Sequence, residues 1–299
     1  MDRRRPLLAN KFERLTSEEL NRYAEEHGAQ VFRKSRIADA LHIENSGISN
    51  VLYRCALQAH FDFVVADEDS FPQFAVEFDG PHHREDPAAR KRDRKKNALC
   101  KRLGMPLIRI THEHLEEVGV GEKITIRNPL GSMLYGHYSS TIGWLTDLWF
   151  TRQAFMKARD EGRLSYDAVW SYNLVGESDP TVGLRSYVLA LHRKGILPER
   201  LPTEYIAEPK RGHAKVVTVV EISGDKVLYG ESDCMTVNYY QDPYPRDIAR
   251  LTALNDAVNK LKRILAGERH TRSHRRLHRV LASMERETDG DLTILNKGR

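Results

Sequence analysis

Two short runs of alternating residues constrain this chain more than anything else in it. His60–Ala66 alternates Phe61, Phe63 and Val65 with other residues, and Gln73–Asp79 alternates Phe74, Val76 and Phe78 with Ala75, Glu77 and Asp79. A two-residue period puts every second side chain on one face of an extended strand. Between the runs, Asp67-Glu68-Asp69-Ser70-Phe71-Pro72 is rich in loop formers, so the two strands most simply form an antiparallel hairpin. A turn centred on Asp69-Ser70 sets Asp62 nearly opposite Glu77, and Glu77 shares a face with Asp79. Three carboxylates then converge on one patch of sheet, a costly arrangement unless a cation neutralises it. The bland alternative is three acids lining the solvent face of an amphipathic hairpin.

The flanking sequence extends the pattern. Gly80-Pro81 ends the second strand. Asp86-Pro87 supplies an N-cap and a proline at the first helical position, so a helix is expected to run to Leu103 and stop at Gly104. Asp93, Lys96, Cys100 and Leu103 fall on one stripe of that helix, which must face the sheet. Lys96 could therefore reach the carboxylates, with Asp93 holding Lys96 or a histidine. The rest of the run Arg90-Lys91-Arg92-Asp93-Arg94-Lys95-Lys96 would point outward, towards phosphates, unless the run is simply a solvated face with an internal ion pair. Pro106–Ile110 reads as a further strand. Upstream, Thr16 and Glu19 have the spacing of a capping box, which predicts a helix from Thr16 to about His27 with Gly28 as its stop. Val31–Ile43 reads as a strand followed by irregular chain, Ser46–Asn50 as a loop and Val51–Ala59 as a short helix. Helices and strands alternating in this way make a mixed α/β core.

Beyond about residue 118 the pattern changes. Ser139–Asp160 carries Trp144, Leu145, Leu148 and Trp149 at helical spacing, Ala214–Tyr240 reads as a hairpin turning at Gly224-Asp225, and Arg246–Ala266 has an apolar helical stripe. Two domains are expected, residues 1–118 and an α+β domain at 119–299. His270, His274 and His278 recur every four residues. A helix would align them as zinc ligands, but the arginines around them, including Arg272, Arg275 and Arg276, favour a basic arm that touches nucleic acid.

With 299 residues, 40% of them hydrophobic, the chain is long enough for a packed core and one large or two ordinary domains. Its net charge of +5 suits a polyanionic partner. The three cysteines are scattered, with no CxxC pair, as expected of a reducing, cytoplasmic setting. No run is long enough to cross a bilayer, and the N-terminus lacks an apolar signal core.

The segments His60–Val65, Phe74–His83, Arg92–Lys96 and Gly104–Ile110 together resemble the PD-(D/E)XK nuclease superfamily, and more narrowly its uncharacterised domains near the very-short-patch-repair endonucleases. The likeness spans about residues 30 to 115. It implies a restriction-endonuclease-like mixed sheet flanked by helices and Mg²⁺- or Mn²⁺-dependent phosphodiester hydrolysis, of DNA before RNA, in restriction, repair or defence against mobile DNA. It assigns Asp62, Glu77 and Asp79 to the metal and His83 to the leaving-group proton. Asp79 stands where the superfamily has its lysine, so Lys96, with Lys95 second, would replace it. Arg92, Arg94, Lys95 and Arg109, with Arg272, Arg275 and Arg276, are the expected nucleic-acid contacts. Homodimerisation or a protein partner stays open, as does a non-catalytic nucleic-acid-binding or scaffold module that retains the fold.

Overall fold

A computed structural model describes residues 11–80, 86–118, 125–128, 131–134, 139–163, 180–223, 226–238, 245–268, 272–288 and 291–296. The chain divides into two compact units. The first comprises residues 1–115 with Cys234–Pro245, the second residues 116–233 and 246–299.

In the first unit, α1 (Lys11–Glu26) leads into β1 (Gln30–Arg36), the short α2 (Ile37–Ala40), α3 (Asn50–Gln58), β2 (His60–Ala66), β3 (Pro72–Phe78), α4 (Pro87–Leu103) and β4 (Leu107–Ile110). β1 is antiparallel to β2, and β2 to β3, while β3 and β4 run parallel. A parallel neighbour requires a crossover, and α4 provides it. The hairpin forms as its alternation predicts. Asp67 ties its turn by accepting from the backbone N–H groups of Asp69 (3.1 Å) and Phe71 (2.8 Å), and Ser70 takes a positive φ of 63°. Such a turn suits the short polar side chains found there.

The core holds Phe61, Phe63, Phe74, Leu99, Leu107 and Ile108 fully buried. Each contributes roughly 2–3 kcal/mol by leaving water. β3 is buried along both faces from Phe74 to Phe78. A charged residue on this strand, Glu77, is therefore unusual and must find compensation.

α4 matches its expected boundaries. The Asp86 side chain accepts from Ala88 N–H, Pro87 opens the helix, and Gly104 closes it at φ 77°. α1 differs from expectation. It starts at Lys11, so Thr16 lies inside it, buried, and its hydroxyl bonds back to the Phe12 carbonyl at 2.8 Å. Glu19 pairs with Arg22 at 3.3 Å. A Ser/Thr hydroxyl bonding to the carbonyl four residues earlier is the usual solution for these residues inside a helix. The Gly28 stop does form, at φ 69°.

The second unit holds the pair β5 (Thr125–Asn128) and β6 (Gly131–Leu134), then α5 (Thr141–Asp160), α6 (Pro180–Arg193), β7 (Thr203–Lys210), β8 (His213–Ser223), β9 (Lys226–Val237), α7 (Pro245–Leu265), β10 (Arg272–Ser273), α8 (His274–Glu287) and β11 (Thr293–Leu295). β9 crosses the division at Asp233/Cys234. Its last residues pair antiparallel with β4 in the first unit, Arg109↔Met235 among them. The expected hairpin strands are β8 and β9, which are neighbours in the sheet. Their expected turn at Gly224-Asp225 lies outside the described residues.

Gly230 on β9 is required by a close approach: a Cβ there would meet the Ala253 carbonyl oxygen of α7 at 2.0 Å. The arginine-rich stretch is not a free arm. α8 buries Leu277, Leu281 and Met284 against Val217, Val219 and Tyr229. Leucines and methionine at helical spacing dominate over the arginines between them, which stay on the other side of the helix. No helix among the described residues is long and apolar enough to cross a membrane.

Candidate active site

The β2–β3 register carries the geometry. Phe63 pairs with Val76 and Val64 with Ala75, so Asp62 falls next in line opposite Glu77. Each carboxylate of the expected trio meets a cation. Lys34 Nζ of β1 lies 2.6 Å from Asp62 Oδ1 and 3.3 Å from Glu13 Oε1 of α1. Lys96 Nζ of α4 donates to both oxygens of Glu77, at 2.8 and 2.7 Å. Arg109 of β4 donates to Asp79 Oδ1 at 2.7 Å, to Asp93 Oδ1 at 3.3 Å and to Asn97 Oδ1 at 3.0 Å. The second oxygen of Asp62 accepts from the Phe78 backbone N–H at 3.0 Å, which fixes that carboxylate against β3.

Glu77 is the electrostatic centre. It is 4% exposed. Burial, opposed by the Lys96 charge and reinforced by that of Asp62, raises its pKa to about 7. Desolvation disfavours the charged form of a carboxyl, and a neighbouring acid adds to the effect. Beneath it, the Cys100 thiol is pushed up to about 12, by burial first and by Glu77 second. Burial works to lower the pKa of Arg109, but Asp79, Glu77 and Asp93 outweigh it and leave the value raised.

The inward stripe of α4 brings Lys96, not Lys95, to Glu77. Asp93 takes Arg109 rather than Lys96. Arg109, expected on nucleic acid, is instead 4% exposed and tied to Asp79, just past the end of β3, and to Asp93 and Asn97 of α4. Its guanidinium is spent on these internal partners rather than held out to solvent. Arg92 and Arg94 are exposed and Lys95 is half-buried. Arg275 and Arg276 are exposed on α8. His83, the side chain of Arg272, and His270 lie outside the described residues. His274 Nε2 lies 3.6 Å from Glu221, and His278 is exposed.

Among the described residues no three His, Cys, Asp or Glu side chains converge as a metal cage. Asn97, Lys34 and Glu13 were not foreseen. Lys34 lies in a run with no clear alternation, and its one sequence signal is a basic residue on the strand that pairs with the Asp62 strand. Glu13 lies in a segment without predicted structure.

Residues 4–126 match the model of a family described as a protein of unknown function (DUF2726). The matched segment contains Asp62, Glu77, Asp79, Asp93, Lys96 and Arg109. No curated protein and no solved structure matches the chain.

Proposed function

We propose that this chain is a divalent-metal-dependent nuclease with a restriction-endonuclease-like first unit, hydrolysing phosphodiester bonds of DNA. The observation that carries the reading is Lys96 Nζ on both oxygens of a buried Glu77, with Asp62 beside it across the strand pair. On the resemblance, the lysine absent from the strand would be supplied by Lys96 of α4. The donor set suits a hard cation. Two neighbouring carboxylates offer oxygen ligands, and burial raises the proton affinity of the inner one.

Mg²⁺ or Mn²⁺ held by Asp62 and Glu77 would lower the pKa of an attacking water and offset charge on the phosphate. Asp62 is pre-oriented for ligation by the Phe78 N–H. Lys96, next to Glu77, would then stabilise charge on the phosphate or orient the water. Asp79 and Asp93 serve by fixing Arg109, which holds β3 and α4 in register. The exposed Arg90, Lys91, Arg92 and Arg94 follow the phosphate backbone. The resemblance gives His83 the leaving-group proton.

A second reading has one observation in its favour. Asp62, Glu77 and Asp79 each already have a cationic partner without a metal, which suits a non-catalytic nucleic-acid-binding module.

Plasmid, linear duplex, single-stranded DNA and RNA, each with Mg²⁺, Mn²⁺ or EDTA, separate the two. Metal-dependent cleavage is expected, lost in Asp62→Ala and Glu77→Ala with folding retained, and slowed by roughly 10²-fold in Lys96→Ala. Tight binding with no cleavage of any substrate by the parent sinks the enzyme and leaves the binding module.

A further inference from the structure

Lys34 sits on β1 between Arg33, which pairs with Phe63, and Ser35, which pairs with Phe61. It therefore stands across from Asp62. Its backbone has φ 50° in mid-strand, a left-handed conformation that a non-glycine side chain disfavours. Such outliers persist where the surrounding structure enforces them, and they cluster at functional sites.

The side chain gives the outlier a direction. Its ammonium holds Asp62 Oδ1 at 2.6 Å, while the Phe78 N–H keeps the other oxygen. Lys34 is about half exposed (49%), against 14% for Lys96 and 4% for Arg109. An exposed ion pair contributes little stability, so the pair with Asp62 does not account for a strained lysine here. A flexible ammonium on one oxygen of a candidate metal ligand is, by contrast, easily displaced. A cation arriving at that oxygen repels it, and its four-carbon stem lets it move to a nearby anion.

We propose that Lys34 is a second substrate-contacting cation of this site. It neutralises Asp62 while no divalent cation is bound, and its side chain would swing to the scissile phosphate when a cation is held by Asp62. This assignment rests on the nuclease reading. Glu13, 3.3 Å away on α1, keeps the displaced ammonium near the cluster.

The test uses the full chain and Lys34→Gly, which removes the ammonium and relieves the backbone. Three readouts are needed: the urea unfolding midpoint, Mn²⁺ affinity by calorimetry, and the single-turnover cleavage rate. The midpoint is expected to be no lower than the parent's, Mn²⁺ to bind roughly tenfold tighter because its competitor for Asp62 is gone, and cleavage to slow by roughly 10²-fold. Lys34→Arg, which keeps the charge, should recover part of the rate. A lower midpoint with unchanged cleavage shows a structural ion pair and overturns the proposal, as does unchanged or weaker Mn²⁺ binding. A parent that binds Mn²⁺ yet cuts nothing overturns the nuclease reading instead. DNA affinity then decides on Lys34: weaker binding by Lys34→Gly keeps it a phosphate contact, and equal binding rejects it.

Discussion

Glu77 in the first unit and Glu204 in the second are both buried carboxylates on strands, and they are compensated in opposite styles. Glu204, fully buried, is clasped by two guanidiniums, Arg185 at 2.8 Å on one oxygen and Arg250 at 2.6 Å on the other. Arginine cannot give up its proton in a protein and presents rigid, directional donors. Glu77 has a single ammonium on both oxygens, and Asp62 as a like-charged neighbour. Its proton affinity is raised, and lysines are compact, mobile point charges. The first arrangement is a fixed structural brace. The second rests on one lysine ammonium, which the proposed function requires to be exchangeable.

The largest effect should come from breaking the brace. Glu204→Ala leaves Arg185 and Arg250 without their shared anion in a partly buried setting. It should destabilise by about 3 kcal/mol in urea unfolding at pH 7. Glu77→Gln should cost much less at the same pH, because a neutral amide resembles the protonated acid that the site already tolerates. Equal losses would erase the distinction between brace and exchangeable site.

Much of the Glu77 side of this contrast is local enough to be legible in the sequence, while nothing there signals the Glu204 clasp. The alternation of β2 and β3 places Asp62 against Glu77, and the Asp86-Pro87 start and Gly104 stop fix the phase of α4, which is what delivers Lys96. These signals act within one element or one hairpin. The misses arise from contacts between distant segments. Thr16 has the spacing of a cap, but α1 gains an extra turn, and its Phe12 ring stacks on Phe78 of β3 at 5.4 Å. Arg109 reads as a nucleic-acid contact in the sequence, whereas Asp79, Asp93 and Asn97 surround it in the fold. Met235–Val237 pair with β4 across more than a hundred residues of chain, and Asn97 reaches Met235 at 3.3 Å. The basic stretch at 272–288 is read wrongly as an arm because its charge density hides the spacing of Leu277, Leu281 and Met284, whose burial sets the structure.

A pH titration of stability sharpens the comparison. Glu77 has a folded pKa of about 7, above its ordinary 4.5. Between these values the folded chain holds a proton that the unfolded chain has lost. The contribution of Glu77 is therefore fully present below pH 4.5 and is lost as pH rises through 7. The unfolding free energy should fall across this window in the parent, by an amount on the order of a few kcal/mol, and Glu77→Gln should flatten the fall. On the metal site proposed above, a divalent cation competes with that same proton, so Mn²⁺ affinity should strengthen with pH up to about 7 and then level off. A stability profile unchanged by Glu77→Gln would show that Glu77 is as firmly compensated as Glu204.

The smallest expected effect isolates the lysine. Lys96→Met replaces an ammonium that is 14% exposed with an apolar side chain of similar length. The charge and hydrogen bond of Lys96 both act to lower the pKa of Glu77, so their removal drives it higher still. At pH 5 the parent's Glu77 is already protonated, and Lys96 has no full anion to pair with there. Losing the ammonium then costs little, within about 0.5 kcal/mol, and relief of its desolvation offsets part of the lost hydrogen bond. At pH 8 the parent has an ionised Glu77 held by Lys96, whereas the variant must keep the carboxyl protonated against the solvent. The deficit should therefore grow with pH. Urea unfolding of parent and Lys96→Met at pH 5 and pH 8 measures it. A large loss at pH 5 would mean that Lys96 is a structural pin like Arg250. A negligible loss at pH 5 that widens by pH 8 is what an exchangeable lysine over a proton-binding glutamate must give.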